Sequence, residues 1–217
     1  MMRRAVTAEF LGSLLLTAAV VGSGIMGERL AGGNAAIALL ANTGATVAAL
    51  ATLISLFGPI SGAHFNPVVT LVALWRGDLP AAPAISYILA QLAGCCAGAV
   101  LANAMFELPL IDASMHARTG FSQWLSEAVA TAGLILVAFS SSTIAAAWRV
   151  SAWIGAAYWF TASTSFANPA ITLGRSLSNS FAGIRPEDTP GFIAAQLVGA
   201  LTGVLLLRLL AERKVIA

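Results

Sequence analysis

Of the chain's 217 residues only 9% are Asp, Glu, Lys or Arg, where a soluble chain carries roughly a quarter. A hydrophobic fraction of 59% and a mean hydropathy of +0.87 exclude a soluble globular domain and call for lipid-facing surface. The net charge of +2 is too small and too scattered for a nucleic-acid footprint.

Arg3 and Arg4 precede an apolar run with the outline of a secretory signal. Glu9 lies inside that run and the stretch recurs later in the chain, so residues 5–26 are read as a retained first span. Further spans are expected at residues 34–57, 82–106, 123–142, 151–166 and 189–210, each near the length needed to cross hydrocarbon. Six spans put both termini on one side. That side collects Arg3, Arg4, Arg76, Arg149, Arg208, Arg213 and Lys214, against Arg29, Arg118, Arg175 and Arg185 on the other, which makes it cytoplasmic. Trp75, Trp124, Trp148 and Trp153 fall near span ends, as interfacial aromatics do. Cys95 and Cys96 have no His or carboxylate at ligand spacing, so they read as helix-packing residues, with no metal or cofactor implied.

Two apolar segments, 68–74 and 170–177, are too short to span and too apolar for a wet loop. Each follows Asn-Pro, and each is read as re-entrant. The chain also repeats itself. Ala8-Glu9-Phe10-Leu11-Gly12 pairs with Ser126-Glu127-Ala128-Val129-Ala130, Asn66-Pro67-Val68 with Asn168-Pro169-Ala170, and Gln91-Leu92-Ala93-Gly94 with Gln196-Leu197-Val198-Gly199. Three blocks in the same order mean a duplicated unit, residues 5–106 and 123–210 of a single domain, 1–217. Each copy holds three spans, an odd number, so the second copy sits inverted.

Inversion brings the two Asn-Pro segments to the midplane from opposite faces. Asn is a favoured N-cap and Pro suits the first helical position, so each motif starts a half-helix of about ten residues there. The capping side chains are expected to keep their amide NH2 groups free, as paired donors at a narrow centre. Both helix N-termini add partial positive charge, which repels cations and orients water.

Ser61-Gly62-Ala63-His64-Phe65-Asn66-Pro67-Val68-Val69-Thr70, the second Asn168-Pro169-Ala170, the Glu9 block and both Gln-Leu-x-Gly blocks together resemble the aquaporin, or major intrinsic protein, family over essentially the whole chain. The resemblance implies an all-α hourglass of six transmembrane helices and two half-helices, assembled as a homotetramer. It implies passive conduction of water or small uncharged solutes, without enzymatic activity. It places a central constriction at Asn66, Pro67, Val68, Asn168, Pro169 and Ala170, and a pore-lining histidine at His64. It places an outer filter at Thr46, Ala156, Ser165 and Ile171. Ile171 stands where most members carry arginine, so the expected filter is wide and uncharged. Arg175, one turn beyond Ile171 on the same face, is a candidate vestibule arginine; the alternative is that it binds loop carbonyls.

This arginine-free pattern, with Phe181-Ala182-Gly183-Ile184 downstream, is similar to a bacterial branch associated with arsenic resistance. It implies a multi-pass protein of a bacterial inner membrane that passes neutral metalloid hydroxides, such as arsenite or methylated arsenicals, beside water and glycerol-like polyols. An ordinary water channel is one alternative. A proton-coupled carrier using Glu9 and Glu127 is another, although their symmetric placement, with Gln91 and Gln196, reads as buried scaffold that satisfies non-helical backbone.

Overall fold

A computed structural model describes residues 2–140 and 146–211. Among them are eight α-helices and no strand. They are α1 (Met2–Leu30), α2 (Ala35–Ser61), α3 (Pro67–Arg76), α4 (Ala81–Met105), α5 (Phe121–Ala138), α6 (Ala146–Phe160), α7 (Pro169–Arg175) and α8 (Thr189–Leu210), with a 3-10 turn at Pro186–Asp188. Five of them, α1, α2, α4, α5 and α8, are long and apolar enough to cross a membrane. The 15 described residues of α6 supply a sixth long helix, and α3 and α7 are the two half-helices.

Element ends depart from expectation where local chemistry intervenes. α2 starts at Asn34, whose side chain accepts from the amides of Ala36 and Ile37. It continues past Phe57, through Pro59, to Ser61 and closes on Gly62 at φ 88°. α6 starts before residue 151 and stops at Phe160, short of the expected 166. Residues 161–167 leave the helix through a turn and left-handed backbone to deliver Asn168. Residues 141 and 142 of the expected fourth span, and the cytoplasmic candidates Arg213 and Lys214, lie outside the described residues.

The first four helices and the last four form equivalent halves. α1 packs along α4 and α5 along α8, and both crossings are made by glycine. A Cβ at Gly94 would stand 2.5 Å from the carbonyl oxygen of Phe10, and one at Gly98 would collide with that of Leu14. In the second half a Cβ at Gly199 would collide with Ala128 O and one at Gly203 would stand 2.7 Å from Ala132 O. The glycine contacts therefore lie within one chain. Trp153, expected at the membrane interface, instead packs on Gly133 inside the α5–α6 contact and donates its indole N–H to Ala130 O at 2.9 Å.

The outer faces of the long helices are apolar and unburied: Leu89, Leu201 and Leu209 are 63%, 67% and 79% exposed. At one end, Arg208 stacks on Trp75 and Arg76 on Phe139. At the other, Arg29 stacks on Phe106 and donates to its carbonyl.

Candidate functional site: a lumen between two half-helices

Each half-helix is started by its Asn-Pro pair. Asn66 is extended, at φ −153° and ψ 121°, and its Oδ1 accepts from the Val68 amide at 3.0 Å. Asn168, at φ −156° and ψ 111°, accepts from Ala170 at 3.0 Å and from Ile171 at 3.2 Å. Pro67 and Pro169 take the first turn, where an N–H would have no partner. Val68 and Ala170 are fully buried. α3 has the expected 10 residues, but α7 has only 7. α7 stops early because the chain after Arg175 turns into a segment tied to the loop between α4 and α5: Ser114 N–H donates to Ser176 O and Asp112 N–H to Leu177 O, both at 3.0 Å.

The two helix starts are locked to each other. Asn66 Nδ2 donates to Ala167 O at 2.7 Å, and Asn168 Nδ2 donates to Phe65 O at 2.8 Å. This corrects the expectation of two free NH2 groups: one hydrogen of each amide is spent across the junction, leaving one for the lumen.

The approach to each Asn is left-handed at non-glycine residues, Ala63 and Phe65 at φ 51° and 49° before Asn66, and Thr164, Ser165 and Ala167 at 61°, 51° and 47° before Asn168. Such residues persist only where the surroundings over-determine them, since each costs roughly 1 kcal/mol or more. The two buried carboxylates do this. Glu9 accepts from Ser61 Oγ and the His64 amide through Oε1, and from the Phe65 amide and Gln91 Nε2 through Oε2. Glu127 repeats the set with Ser163 Oγ, the Phe166 and Ala167 amides, and Gln196 Nε2. Gln91 and Gln196 also donate to Thr70 and Thr172, each at 2.9 Å. All four acidic and amide side chains are fully buried.

A cavity of about 180 Å³ lies beside this junction, lined by His64, Asn66 and Asn168, with Thr46, Ser165, Ile171 and Arg175 also on its wall. His64 is held by Nδ1 against Thr70 Oγ1 at 3.1 Å, with its ring edge-on to Tyr87. Ala156 does not belong to this wall. It is exposed on the opposite side of α6, while Val150, Ile154 and Tyr158, spaced four apart, face the cavity; a residue midway between two of these is turned away by the helical period. Tyr158 occupies the place expected for Ala156, its hydroxyl 3.3 Å from Thr46 Oγ1. Phe166, equivalent to His64 in the repeat, also lines the cavity. Both were readable only as a hydroxyl-bearing aromatic at helical spacing from Ile154 and as the residue two before the second Asn.

The expected uncharged rim is likewise altered, because Arg175 stands on the same wall as Ile171. Its Nε donates to Ala182 O and its guanidinium lies 3.3 Å from the centre of the Phe166 ring. A second arginine secures the loops at this end: Arg118 donates from its amide to Asp188, and from its guanidinium to the carbonyls of Gly183, Ser163 and Phe181. Burial alone would raise the Asp188 carboxyl, but the Arg185 side chain and the Arg118 amide outweigh it and hold Asp188 below the usual carboxylate range. Among the described residues no cluster of His, Cys, Asp and Glu has the arrangement of a metal site.

Comparison with known proteins agrees with this architecture. An aquaglyceroporin, AqpS, of Rhizobium meliloti is 52% identical over 212 residues, covering 96% of this chain and 91% of the relative. The lens fiber major intrinsic protein of Gallus gallus is 35% identical over 152 residues, 64% of this chain and 53% of that protein. The X-ray structure of the aquaglyceroporin from Plasmodium falciparum shares the fold, with a TM-score of 0.72 over 95% of both chains at 17% identity. The family model described as major intrinsic protein matches residues 1–146 and 141–216. The chain therefore belongs to the major intrinsic protein family of transmembrane channels.

Proposed function

We propose that the protein is a passive channel of a bacterial plasma membrane, working as a homotetramer with both termini cytoplasmic, that admits water, glycerol-like polyols and neutral metalloid hydroxides such as arsenite or methylated arsenicals. The observation that carries the reading is the cavity lined by His64, the two Asn amides, and a rim of Thr46, Tyr158, Ser165 and Ile171. Each Asn brings one remaining N–H donor to the narrow centre, and the N-terminus of a half-helix stands behind it. A neutral hydroxylated solute exchanges water hydrogen bonds for these, while a cation meets only donors and positive dipole ends.

The rim supports solutes larger than water. Ile171 offers no donor where the family resemblance implies an arginine. The hydroxyls of Thr46 and Tyr158 share the wall with the apolar side chains of Leu50, Ile154 and Ile171, which suits a molecule with one hydroxyl face and one carbon or methyl face. The printed name of the Rhizobium meliloti relative, an aquaglyceroporin, points the same way.

The carrier alternative is disfavoured by the carboxylates themselves. Every oxygen of Glu9 and Glu127 already accepts two hydrogen bonds, and neither residue is exposed. A coupling carboxylate must instead give up its partners and meet a proton path. Stopped-flow reswelling of proteoliposomes in glycerol, urea, arsenite and methylarsenite tests the proposal. The expected result is uptake that does not saturate at millimolar solute and is indifferent to a protonophore; saturable uptake abolished by the protonophore would establish the carrier.

A further inference from the structure

Ile171 leaves the first turn of α7 without a side-chain donor, but the next turn supplies one. Arg175 is four residues on, hence on the same face of α7 and roughly 6 Å further along its axis. The side chain is 2% exposed and yet forms part of the cavity wall. It has no carboxylate partner among the described residues. Its plane is fixed on one edge by the Ala182 carbonyl and on one face by Phe166, an arrangement suited to a planar guanidinium and poorly suited to an ammonium. Nη1 and Nη2 form no hydrogen bond with the described protein, and neither is sealed from solvent as an unsatisfied buried atom, so their N–H groups address the lumen. Arg118 provides the contrast. It approaches the same ring at 5.1 Å, but it is tied to three loop carbonyls and is absent from the wall.

We propose that Arg175, braced on Phe166, is the charge-selecting residue of this channel, displaced by one helical turn from the position now held by Ile171. Its Nη donors meet the oxygens of a passing neutral solute. Its uncompensated charge, in a narrow cavity walled by apolar side chains, turns cations back before they reach the Asn pair. This rests on the reading of the chain as a channel for neutral solutes.

The test compares urea with guanidinium, two planar molecules of nearly equal size that differ by one charge, as permeants of liposomes holding the full chain. In the wild type, urea is expected to enter freely and guanidinium to be excluded. Arg175→Gln, which removes the charge together with the Nη donors, should raise the guanidinium-to-urea permeability ratio by about tenfold or more. Arg175→Lys, which keeps the charge, should leave guanidinium excluded. Guanidinium exclusion that survives Arg175→Gln at unchanged urea flux overturns the proposal. So does wild-type guanidinium entry at the rate of urea, a measurement that requires no variant. If Arg175→Gln does not assemble, Arg175→Met, which also removes the charge on a long unbranched side chain, takes its place; a guanidinium-to-urea ratio that fails to rise there is equally decisive against the proposal. Absence of urea flux through the wild type would instead refute the neutral-solute reading and is distinguishable from all of these.

Discussion

The two halves share a frame and differ in what they hang on it. Each carboxylate holds a serine, two loop amides and a glutamine, and each Asn reaches across to the carbonyl that precedes the other. On that common frame the first half places His64 and the second places Phe166, the aromatic face on which Arg175 rests. The first half closes α3 on Gly77 at φ 80°, whereas the second cuts α7 short and sends the chain into loops pinned by Arg118. The residues that satisfy buried backbone thus match between the halves. On the cavity wall His64 and Phe166 differ, since no buried backbone group depends on their side chains.

The frame predicts the largest effect. Glu9→Ala strands two amides, a serine hydroxyl and a glutamine in a fully buried site, and each unsatisfied donor costs roughly 1–3 kcal/mol. The sum is comparable with the whole stability of a typical domain, about 5–15 kcal/mol. Glu9→Ala and Glu127→Ala are both expected to abolish recovery of assembled protein from the membrane, measured by size exclusion in detergent. Glu→Gln at either site should also be severe, because an amide NH2 then faces donors on one side. Full recovery of one alanine variant beside loss of the other would break the equivalence of the halves.

A smaller effect separates the halves at their glycine crossings. A methyl at Gly98 would collide with the carbonyl oxygen of Leu14, a backbone atom that cannot swing aside, while one at Gly203 would stand 2.7 Å from Ala132 O. Overpacking of this kind costs roughly 1–3 kcal/mol. Gly98→Ala is expected to lower the midpoint of thermal unfolding in detergent by several degrees, and Gly203→Ala by less. The reverse order would show that the α5–α8 crossing is the less forgiving one.

Much of this frame was legible in the sequence, for definite physical reasons. An Asn-Pro pair ahead of a short apolar run is a half-helix start whatever surrounds it, and a carboxylate repeated inside two spans needs donors that only the neighbouring loop can provide. The wall was less legible because it depends on helix rotation. Counting back from Asn168 selects Ala156, but α6 ends at Phe160 and turns Tyr158 inward, and no local motif records that rotation. The spent hydrogen on each Asn amide was hidden for a similar reason. Its acceptors, Phe65 O and Ala167 O, lie 103 and 101 residues away along the chain, and they become acceptors only once left-handed backbone aims them.

Exchanging the diverged residues sharpens the comparison further. His64→Phe copies the second half into the first and removes a polar group from the inner end of the lumen. Water permeability of proteoliposomes is expected to fall severalfold, with protein assembly intact, because the imidazole touches the Glu9 network only at its edge, through Thr70 Oγ1, which keeps its bond from Gln91. A fall in assembly equal to that of Glu9→Ala would mean that His64 belongs to the frame rather than the wall.

The smallest expected effect lies at the outer rim. Tyr158→Phe keeps the ring that fills the wall and deletes only the hydroxyl that meets Thr46 at 3.3 Å. A neutral hydrogen bond of this length is worth about 1 kcal/mol net, which corresponds to roughly a fivefold change in an equilibrium or a barrier. The freed Thr46 hydroxyl can turn to the lumen, while the rim loses one polar partner for a polyol. The glycerol-to-water permeability ratio is therefore expected to fall by a factor of up to about five, with thermal stability nearly unchanged. An unchanged ratio would place Tyr158 in the wall only as packing. A ratio that rises would mean that the Thr46–Tyr158 bond narrows the rim, and that size, not hydrogen bonding, sets the outer barrier.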